Sequence, residues 1–193
     1  MTVFNVGVAN MQKDWPGDGK YLAMLEGEIP CGYLLLCERQ KGRKSVRVRL
    51  AGAVKGSKQA WRNMGQIGAH KAIAVRKVKV RGASGKPRKI KAVSFHALHV
   101  GSTSRKAQDR YYRKLRNWVR RQEKRGWEVA LGGDCNRNPK VVGRYLGMKS
   151  RRHGIIGLFL TDGLAFDEVW RDSMGKRAGL TDHGELFATV RVK

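Results

Sequence analysis

Short apolar segments, separated by polar or glycine-rich residues, recur along the whole chain. Runs of β-branched and aliphatic residues predict β-strands, because such side chains fit a pleated, half-buried surface. The predicted strands span residues 3–11, 32–37, 72–81, 92–100, 128–132, 155–161 and 186–192. The basic, glycine-rich segment 39–68 is expected to be irregular or weakly paired.

A helical period is clearest over residues 104–125, and a shorter helix is predicted over 20–27. The long helix has an apolar stripe at spacings of three and four residues, as expected for one buried face. This stripe consists of Ala107, Tyr111, Leu115, Trp118 and Gln122. Many strands with few helices predict an α+β fold in which two packed, mainly antiparallel sheets are flanked by helices. No repeat or linker divides the chain, so residues 1–193 are predicted to form one domain.

Charge changes this picture more than any other compositional feature. The 193 residues include 41 Lys and Arg against 15 Asp and Glu, a formal net charge of +26. Residues 39–108 contain 20 Lys and Arg and no Asp or Glu. Such a chain needs a polyanionic partner to relieve its self-repulsion, and nucleic acid is the commonest one.

The remaining composition excludes several classes of protein. No run approaches the roughly 20 apolar residues that a membrane span needs, and the N-terminus does not resemble a secretory leader. The three cysteines, Cys31, Cys37 and Cys135, form no C-x-x-C pair. We therefore expect reduced thiols and a cytoplasmic location, with neither a disulfide framework nor a zinc site. We also expect no membrane partner and a monomer.

Polar groups able to bind metal or phosphate follow several apolar segments. They are Asn10, Glu38, His99, Asp134 with Asn136, and Asp182 with His183. If these segment ends meet at one rim of a sandwich, they form an oxygen-rich site. Such a site suits Mg²⁺, which binds one or two carboxylates and completes its coordination with water and substrate oxygens.

Several motifs resemble those of the endonuclease/exonuclease/phosphatase family, whose members are similar to deoxyribonuclease I. HALHVGS (96–102), a long helix and LGGDCN (131–136) resemble the family's run from a catalytic histidine to G-D-x-N. TDH (181–183) resembles its S-D-H motif, LLCE (35–38) its L-Q-E, and VAN (8–10) its first strand. The resemblance covers nearly the whole chain in the family's order.

The resemblance implies a role for each matching residue. His99, Asp134, Asn136 and His183 would be catalytic. Asp134 activates or orients water, Asn136 positions the phosphate, His99 acts on the phosphate or the leaving oxygen, and His183 with Asp182 lies near metal and phosphate. The metal, Mg²⁺ or Mn²⁺, would lie by Asn10, Glu38 and Asp182. His96 is expected to be a packed mid-strand histidine.

One position departs from the family pattern. Gly157 stands where members carry an aspartate that orients the final histidine. Asp162 or Asp167 could replace that aspartate, with Asp162 preferred, although Asp162 also suits a simple Asp-Gly turn. The departure predicts present but modest activity.

Together, charge and resemblance favour a Mg²⁺-dependent endonuclease that cleaves DNA with little sequence preference. RNA remains possible as substrate, because backbone contacts do not distinguish the two. The alternatives are a basic DNA- or RNA-binding protein on the same scaffold with weak or lost catalysis, and a phosphatase of small ligands, which the chain-wide charge disfavours. The expected nucleic-acid-binding residues are Arg39, Lys41, Arg43, Lys44, Arg47, Arg49, Arg110, Arg113, Arg120 and Arg121.

Overall fold

The computed structural model describes most of the chain and its secondary structure. The described residues are 2–11, 18–29, 32–37, 46–50, 63–66, 72–78, 80–81, 87–99, 101 and 104–193. The strands are β1 Thr2–Asn10, β2 Gly32–Cys37, β3 Val46–Leu50, β4 Asn63–Gln66, β5 Ala72–Val78, β6 Ile90–His96, β7 Glu128–Asp134, β8 Lys149–His153, β9 Ile156–Leu160, β10 Leu164–Asp172 and β11 Glu185–Val192. The helices are α1 Asp18–Glu28, α2 Arg105–Glu123, α3 Pro139–Leu146 and α4 Met174–Arg177.

The strands form two sheets that pack face to face. One has the order β10-β11-β1-β2-β3 and the other β4-β5-β6-β7-β9-β8. A largely aliphatic core, which includes Val8, Leu35 and Leu158, fills the space between them. A second core lies between the six-stranded sheet and helices α2 and α3, and a third joins the five-stranded sheet to α1 and α4. This confirms the predicted α+β sandwich.

Helix α2 confirms the strongest helical pattern in the sequence. The hydroxyl of Ser104 accepts a hydrogen bond from the Ala107 amide and caps the N-terminus. Gly126, with φ of 75°, follows the C-terminus in the left-handed region that glycine adopts readily. The buried face consists of Gln108, Tyr111, Tyr112, Leu115, Trp118, Val119 and Gln122. None of the described helices is long and apolar enough to cross a membrane.

Several elements have no counterpart among the predicted ones. The segment 39–68, expected to be irregular or weakly paired, contains β3, which pairs with β2, and β4, which pairs with β5. Strands β8 and β10 and helices α3 and α4 were also not predicted. In β8 (KSRRH) and β10 (LAFDEVWRD) charged side chains interrupt the apolar pattern, because β8 lies at the edge of one sheet and β10 at the edge of the other. The pattern is weak there because little of either strand is buried.

Two parallel strand pairs determine where the polar residues meet. β1 is parallel to β2, with Asn10 opposite Cys37, and β6 is parallel to β7, with His96 opposite Asp134. The carboxyl ends of each pair lie at one edge of their sheet, and the hydrogen bond from Asn10 to Asp134 brings the two edges together at one rim of the sandwich. Antiparallel pairing of β11 with β1 brings the residues that precede β11 to the same rim.

Candidate active site

Two glycines let the chain reach this rim at the end of β7. A Cβ at Gly132 would lie 2.6 Å from Cγ2 of Val8 on the facing sheet, and one at Gly133 would lie 1.8 Å from the Phe95 carbonyl oxygen. Side chains at either position would force the two sheets or the neighbouring strand apart. The Gly-Gly pair therefore holds Asp134 close to β1 and β6.

Asp134 is a buried carboxylate with polar partners from two sides. Nδ2 of Asn10 donates to its Oδ2 at 2.9 Å, and the backbone N–H of Asn136 donates to its Oδ1 at 2.7 Å. Only 2% of Asp134 and 1% of Asn10 is exposed. Hydrogen bonds of this kind compensate the desolvation of a buried carboxylate. The contact with Asn10 joins the two sheets at the rim.

Asn136 turns the chain immediately after this carboxylate. It is the non-glycine residue with positive φ among those described, at 46°, a conformation that asparagine tolerates better than most residues. Its Nδ2 donates to the Ala97 carbonyl at 3.0 Å and lies 3.2 Å from Nε2 of His96. Because an amide nitrogen only donates, that contact requires an unprotonated Nε2 on His96.

Helix α2 supports this turn from outside the sheet. Nε2 of Gln108 donates to the Asn136 carbonyl at 3.1 Å and to the Leu98 carbonyl at 2.9 Å. The Tyr112 hydroxyl donates to the carbonyl of Cys135. Burial, followed by the neighbouring Asp134 charge, raises the pKa of the Cys135 thiol. The thiol therefore stays neutral, and Cys135 serves packing rather than nucleophilic chemistry.

His183 brings an imidazole to Asp134. Its Nε2 lies 3.0 Å from Oδ1 of Asp182 and 3.8 Å from Oδ2 of Asp134. The side chain of Asp182 is 70% exposed and that of His183 is 21% exposed, so both can meet a ligand from solvent. The backbone N–H of His183 donates to the hydroxyl of Thr181, which fixes the turn.

A buried carboxylate anchors the segment that carries His183. Oε1 of Glu185 accepts from the Tyr21 hydroxyl at 2.5 Å and from the Gly175 amide at 3.0 Å. The Glu185 backbone carbonyl lies 3.0 Å from Nδ1 of His153. Burial, followed by the hydrogen bond to Glu185, raises the pKa of Tyr21. The sequence patterns did not reveal this support, because Glu185 opens an otherwise apolar strand.

The predicted residues are brought together only in part. Asn10, Asp134, Asn136, Asp182 and His183 share the rim, whereas Glu38 lies outside the described residues. His99 is exposed three residues beyond the end of β6, and its Nδ1 accepts from the Gly101 amide. His96, expected to be mid-strand, is instead the last residue of β6 and lies beside Asn136. The catalytic role of His99 stays a prediction.

The geometry corrects the inference drawn from Gly157. A Cβ at Gly157 would meet the Phe159 ring and the Cys135 thiol, on the face covered by α2 and α3. An aspartate there would point away from the layer that holds Asp134 and His183. Asp162 is also wrong as a substitute: its side chain is 96% exposed and pairs with Lys149 beside the opposite end of β7. Asp167 pairs with Arg191 on β11.

The predicted nucleic-acid-binding residues have mixed outcomes. Arg39, Lys41, Arg43 and Lys44 lie outside the described residues, and Arg47 and Arg49 lie in β3, where their side chains are not described. Arg110, Arg113, Arg120 and Arg121 are exposed on α2. The first two lie in the half of α2 that contacts the Asn136 turn, and the last two lie near its far end. Their role in binding stays a prediction.

The donor chemistry of the rim fits a hard cation. Asn10, Asp134 and Asp182 offer amide and carboxylate oxygens, which Mg²⁺ prefers over nitrogen or sulfur. The described residues by themselves contain no group of three acidic, histidine or cysteine ligands placed around one point. A complete set would need Glu38, which follows β2 in sequence.

Comparison with known proteins identifies the fold. The sequence matches no protein-family model and no curated protein sequence at a significant level. An endonuclease/exonuclease/phosphatase from Bacteroides vulgatus matches with a TM-score of 0.69 and 14% identity over 100% of both chains. The endonuclease domain of TRAS1, a telomere-specific non-LTR retrotransposon, has a TM-score of 0.59 and 16% identity, covering 98% of this chain and 99% of that chain.

A third match shows how widely the fold is used. A mannosyl-6-phosphatase from Bacteroides thetaiotaomicron has a TM-score of 0.54 and 9% identity, covering 97% of this chain and 99% of that chain. Identities this low establish architecture, while function depends on the site residues. The motif resemblance is confirmed at the level of the fold: this chain adopts the deoxyribonuclease I-like fold of endonuclease/exonuclease/phosphatase proteins.

Proposed function

We propose that this protein is a metal-dependent phosphodiesterase that cleaves nucleic acid: an endonuclease on DNA, with Mg²⁺ or Mn²⁺ and little sequence preference. The observation that carries the proposal is the buried Asp134 carboxylate, held by Asn10 and Asn136 and flanked by His183 at one rim. The net charge of +26 favours a polyanionic substrate over a small phosphorylated ligand. The fold matches, which include an endonuclease domain, support the same class of reaction.

Asp134 is the candidate base that receives a proton from the attacking water. An ionised carboxylate accepts about two hydrogen bonds on each oxygen, so Asp134 can hold a water in addition to its two protein donors. These donors fix the carboxylate before substrate arrives, and a fixed geometry is what general-base catalysis needs. Hydrolysis then forms a bond from water oxygen to phosphorus and breaks the bond to the leaving oxygen.

The imidazoles supply the remaining polar groups. His183, whose Nε2 lies 3.0 Å from Oδ1 of Asp182, presents its partly exposed ring to a phosphate oxygen at the rim. His96 is oriented by the amide of Asn136 and offers a second ring at the end of β6. A bound Mg²⁺ would neutralise charge on the phosphate oxygens, and Asn10, Glu38 and Asp182 are the residues that would hold it. Asn10 would use its side-chain oxygen, because its nitrogen donates to Asp134.

The test is incubation with supercoiled plasmid and either Mg²⁺ or Mn²⁺, with and without excess chelator. We expect nicked and linear products with metal and none after chelation. Glu38→Ala should abolish nicking, whereas Glu168→Ala, which removes an exposed acid on β10, should cut like the parent. Nicking that survives complete chelation would contradict metal dependence, and a Glu38→Ala variant with parent activity would remove that residue from the site.

The same assay separates the alternatives. Tight binding of plasmid without cleavage in either metal would indicate a basic nucleic-acid-binding protein on this scaffold. Cleavage of single-stranded RNA in preference to the plasmid would change the substrate but not the chemistry. Release of phosphate from a small phosphate monoester, with the plasmid intact, would favour a phosphatase.

A further inference from the structure

A second group of charged side chains lies on the outer face of the six-stranded sheet, at the end opposite Asp134. Lys91 in β6 is only 8% exposed, and its Nζ donates to Oε1 of Gln122 at 2.6 Å. The same Nζ lies 4.6 Å from the ring centre of Trp127 and 5.9 Å from that of Trp118. Nζ of Lys77 lies 5.5 Å from the Trp127 ring centre.

This group consists of cations placed against each other. Lys77 and Lys91 are directly opposite in the antiparallel pairing of β5 with β6, a position where like charges destabilise a sheet. Burial, followed by the Arg125 and Lys77 charges, lowers the pKa of Lys91. Within the described parts of the chain, no ion pair joins these three residues to a carboxylate. The described part of the fold therefore places these positive charges together without neutralising them.

The surroundings indicate what could neutralise it. Gln122 and the tryptophan rings stabilise the Lys91 ammonium, but they add no negative charge. Lys77 and Arg125 are exposed, and the Trp127 ring beside them is half-buried. An anion from solvent can therefore approach two cations and an aromatic edge together. A mobile polyanion would remove the repulsion that the folded chain retains.

We propose that the group formed by Lys77, Lys91, Arg125 and Trp127 is a second nucleic-acid-binding site, which contacts backbone phosphates of the strand held at Asp134. This inference rests on the proposed function. Strand β7 runs from Glu128 at this end to Asp134 at the rim, a distance of about 20 Å at roughly 3.3 Å per residue. Because β7 is buried beneath α2, a polynucleotide that joins the two places passes outside this helix and needs at least about six base pairs of duplex, whereas a small phosphate ligand cannot reach both places.

The experiment compares Lys77→Gln with Arg191→Gln, which removes the same charge from the other sheet, where Arg191 pairs with Asp167. Binding is measured by fluorescence anisotropy on a duplex of about 20 base pairs, with chelator present so that no cleavage occurs. We expect Lys77→Gln to weaken binding roughly fivefold and to lower the slope of log affinity against log salt by about 1. The Arg191→Gln variant should bind within about twofold of the parent.

Thermal unfolding provides an independent readout. Lys77→Gln should raise the Tm, because it removes cross-strand repulsion, whereas a residue kept for packing alone would lower it when replaced. Affinity equal to that of Arg191→Gln, or a lower Tm, would overturn the proposal. The proposal would also be overturned if Lys77→Gln lost binding to phosphatidylserine vesicles but kept the parent's affinity for DNA. The group would then bind a membrane surface. The binding assay contains no metal, so it still tests this second site if the plasmid assay detects no cleavage.

Discussion

Each end of the six-stranded sheet buries an ionisable side chain, and the two side chains differ in the partners that surround them. At the rim, the carboxylate of Asp134 is met by the Asn10 amide, the Asn136 backbone and the His183 ring. At the far end, the ammonium of Lys91 is met by one amide oxygen and two aromatic rings, with Lys77 and Arg125 nearby. The rim carboxylate is therefore met by hydrogen-bond donors of the protein, whereas no carboxylate among the described residues pairs with the cations at the far end.

The largest effect expected is that of salt on binding. If roughly 6–10 phosphates are neutralised, affinity for duplex DNA should fall about 10³–10⁵-fold between 50 and 200 mM salt. The measurement is a series of anisotropy titrations in chelator at increasing salt. A shallow dependence would show that the cationic surface serves a different partner, and would remove the contrast between the two ends.

The next largest effect concerns the carboxylate at the rim. Asp134→Ala should reduce plasmid cleavage by about 10²–10⁴-fold, the usual contribution of a positioned acid–base group. Affinity for DNA should be equal or tighter, because one negative charge near the phosphates is lost. Circular dichroism checks that the variant folds, since its loss leaves the Asn10 and Asn136 donors unsatisfied. Parent-like cutting would place the chemistry elsewhere.

A smaller effect distinguishes the two histidines near β6. His96→Ala should lower cleavage by about 10²-fold, since it removes the ring that Asn136 orients at the strand end. His99→Ala, on the exposed residue bonded to Gly101, should lower cleavage by less. Single-turnover rates at saturating protein separate a loss of chemistry from a loss of binding. The reverse order would support His99 as the catalytic histidine.

The sequence predicts the interior strands and α2 well because burial imposes their pattern. GYLLLC in β2 and the stripe of α2 are buried, so their apolar periodicity is strong. Strand β8 lies at the sheet edge with exposed arginines, and nothing in its five residues requires a strand until β9 pairs with it. The hydrophobic pattern of the sequence therefore predicts elements that are buried in the core. It misses edge strands that form only because they pair with a neighbouring strand.

The candidate site divides in the same way. Asp134 and Asn136 could be predicted because a glycine pair and a polar turn follow a buried strand. The distinction between His96 and His99 depended on the end of β6, which lies four residues before the end predicted from the pattern. The direction of Gly157 depends on its register against Gly133 and Arg152, which no single strand reveals.

The smallest effect is expected for an acid at the wrong end of β7. Thr161, just before Asp162, forms hydrogen bonds with the backbone of Val129, so Asp162 lies beside the start of β7. His183 lies beside the other end of this strand, which is about 20 Å long. Its carboxylate is exposed and pairs with Lys149, an arrangement worth little. Asp162→Asn should therefore cut plasmid within about twofold of the parent, whereas His183→Ala should slow cleavage by about 10²-fold. The double variant should then match His183→Ala alone, because independent sites give additive losses and Asp162→Asn adds none. If Asp162→Asn instead slows cleavage clearly, while the double variant is no slower than His183→Ala alone, the two residues act as a unit. That result would return Asp162 to the site and contradict the separation of the two ends.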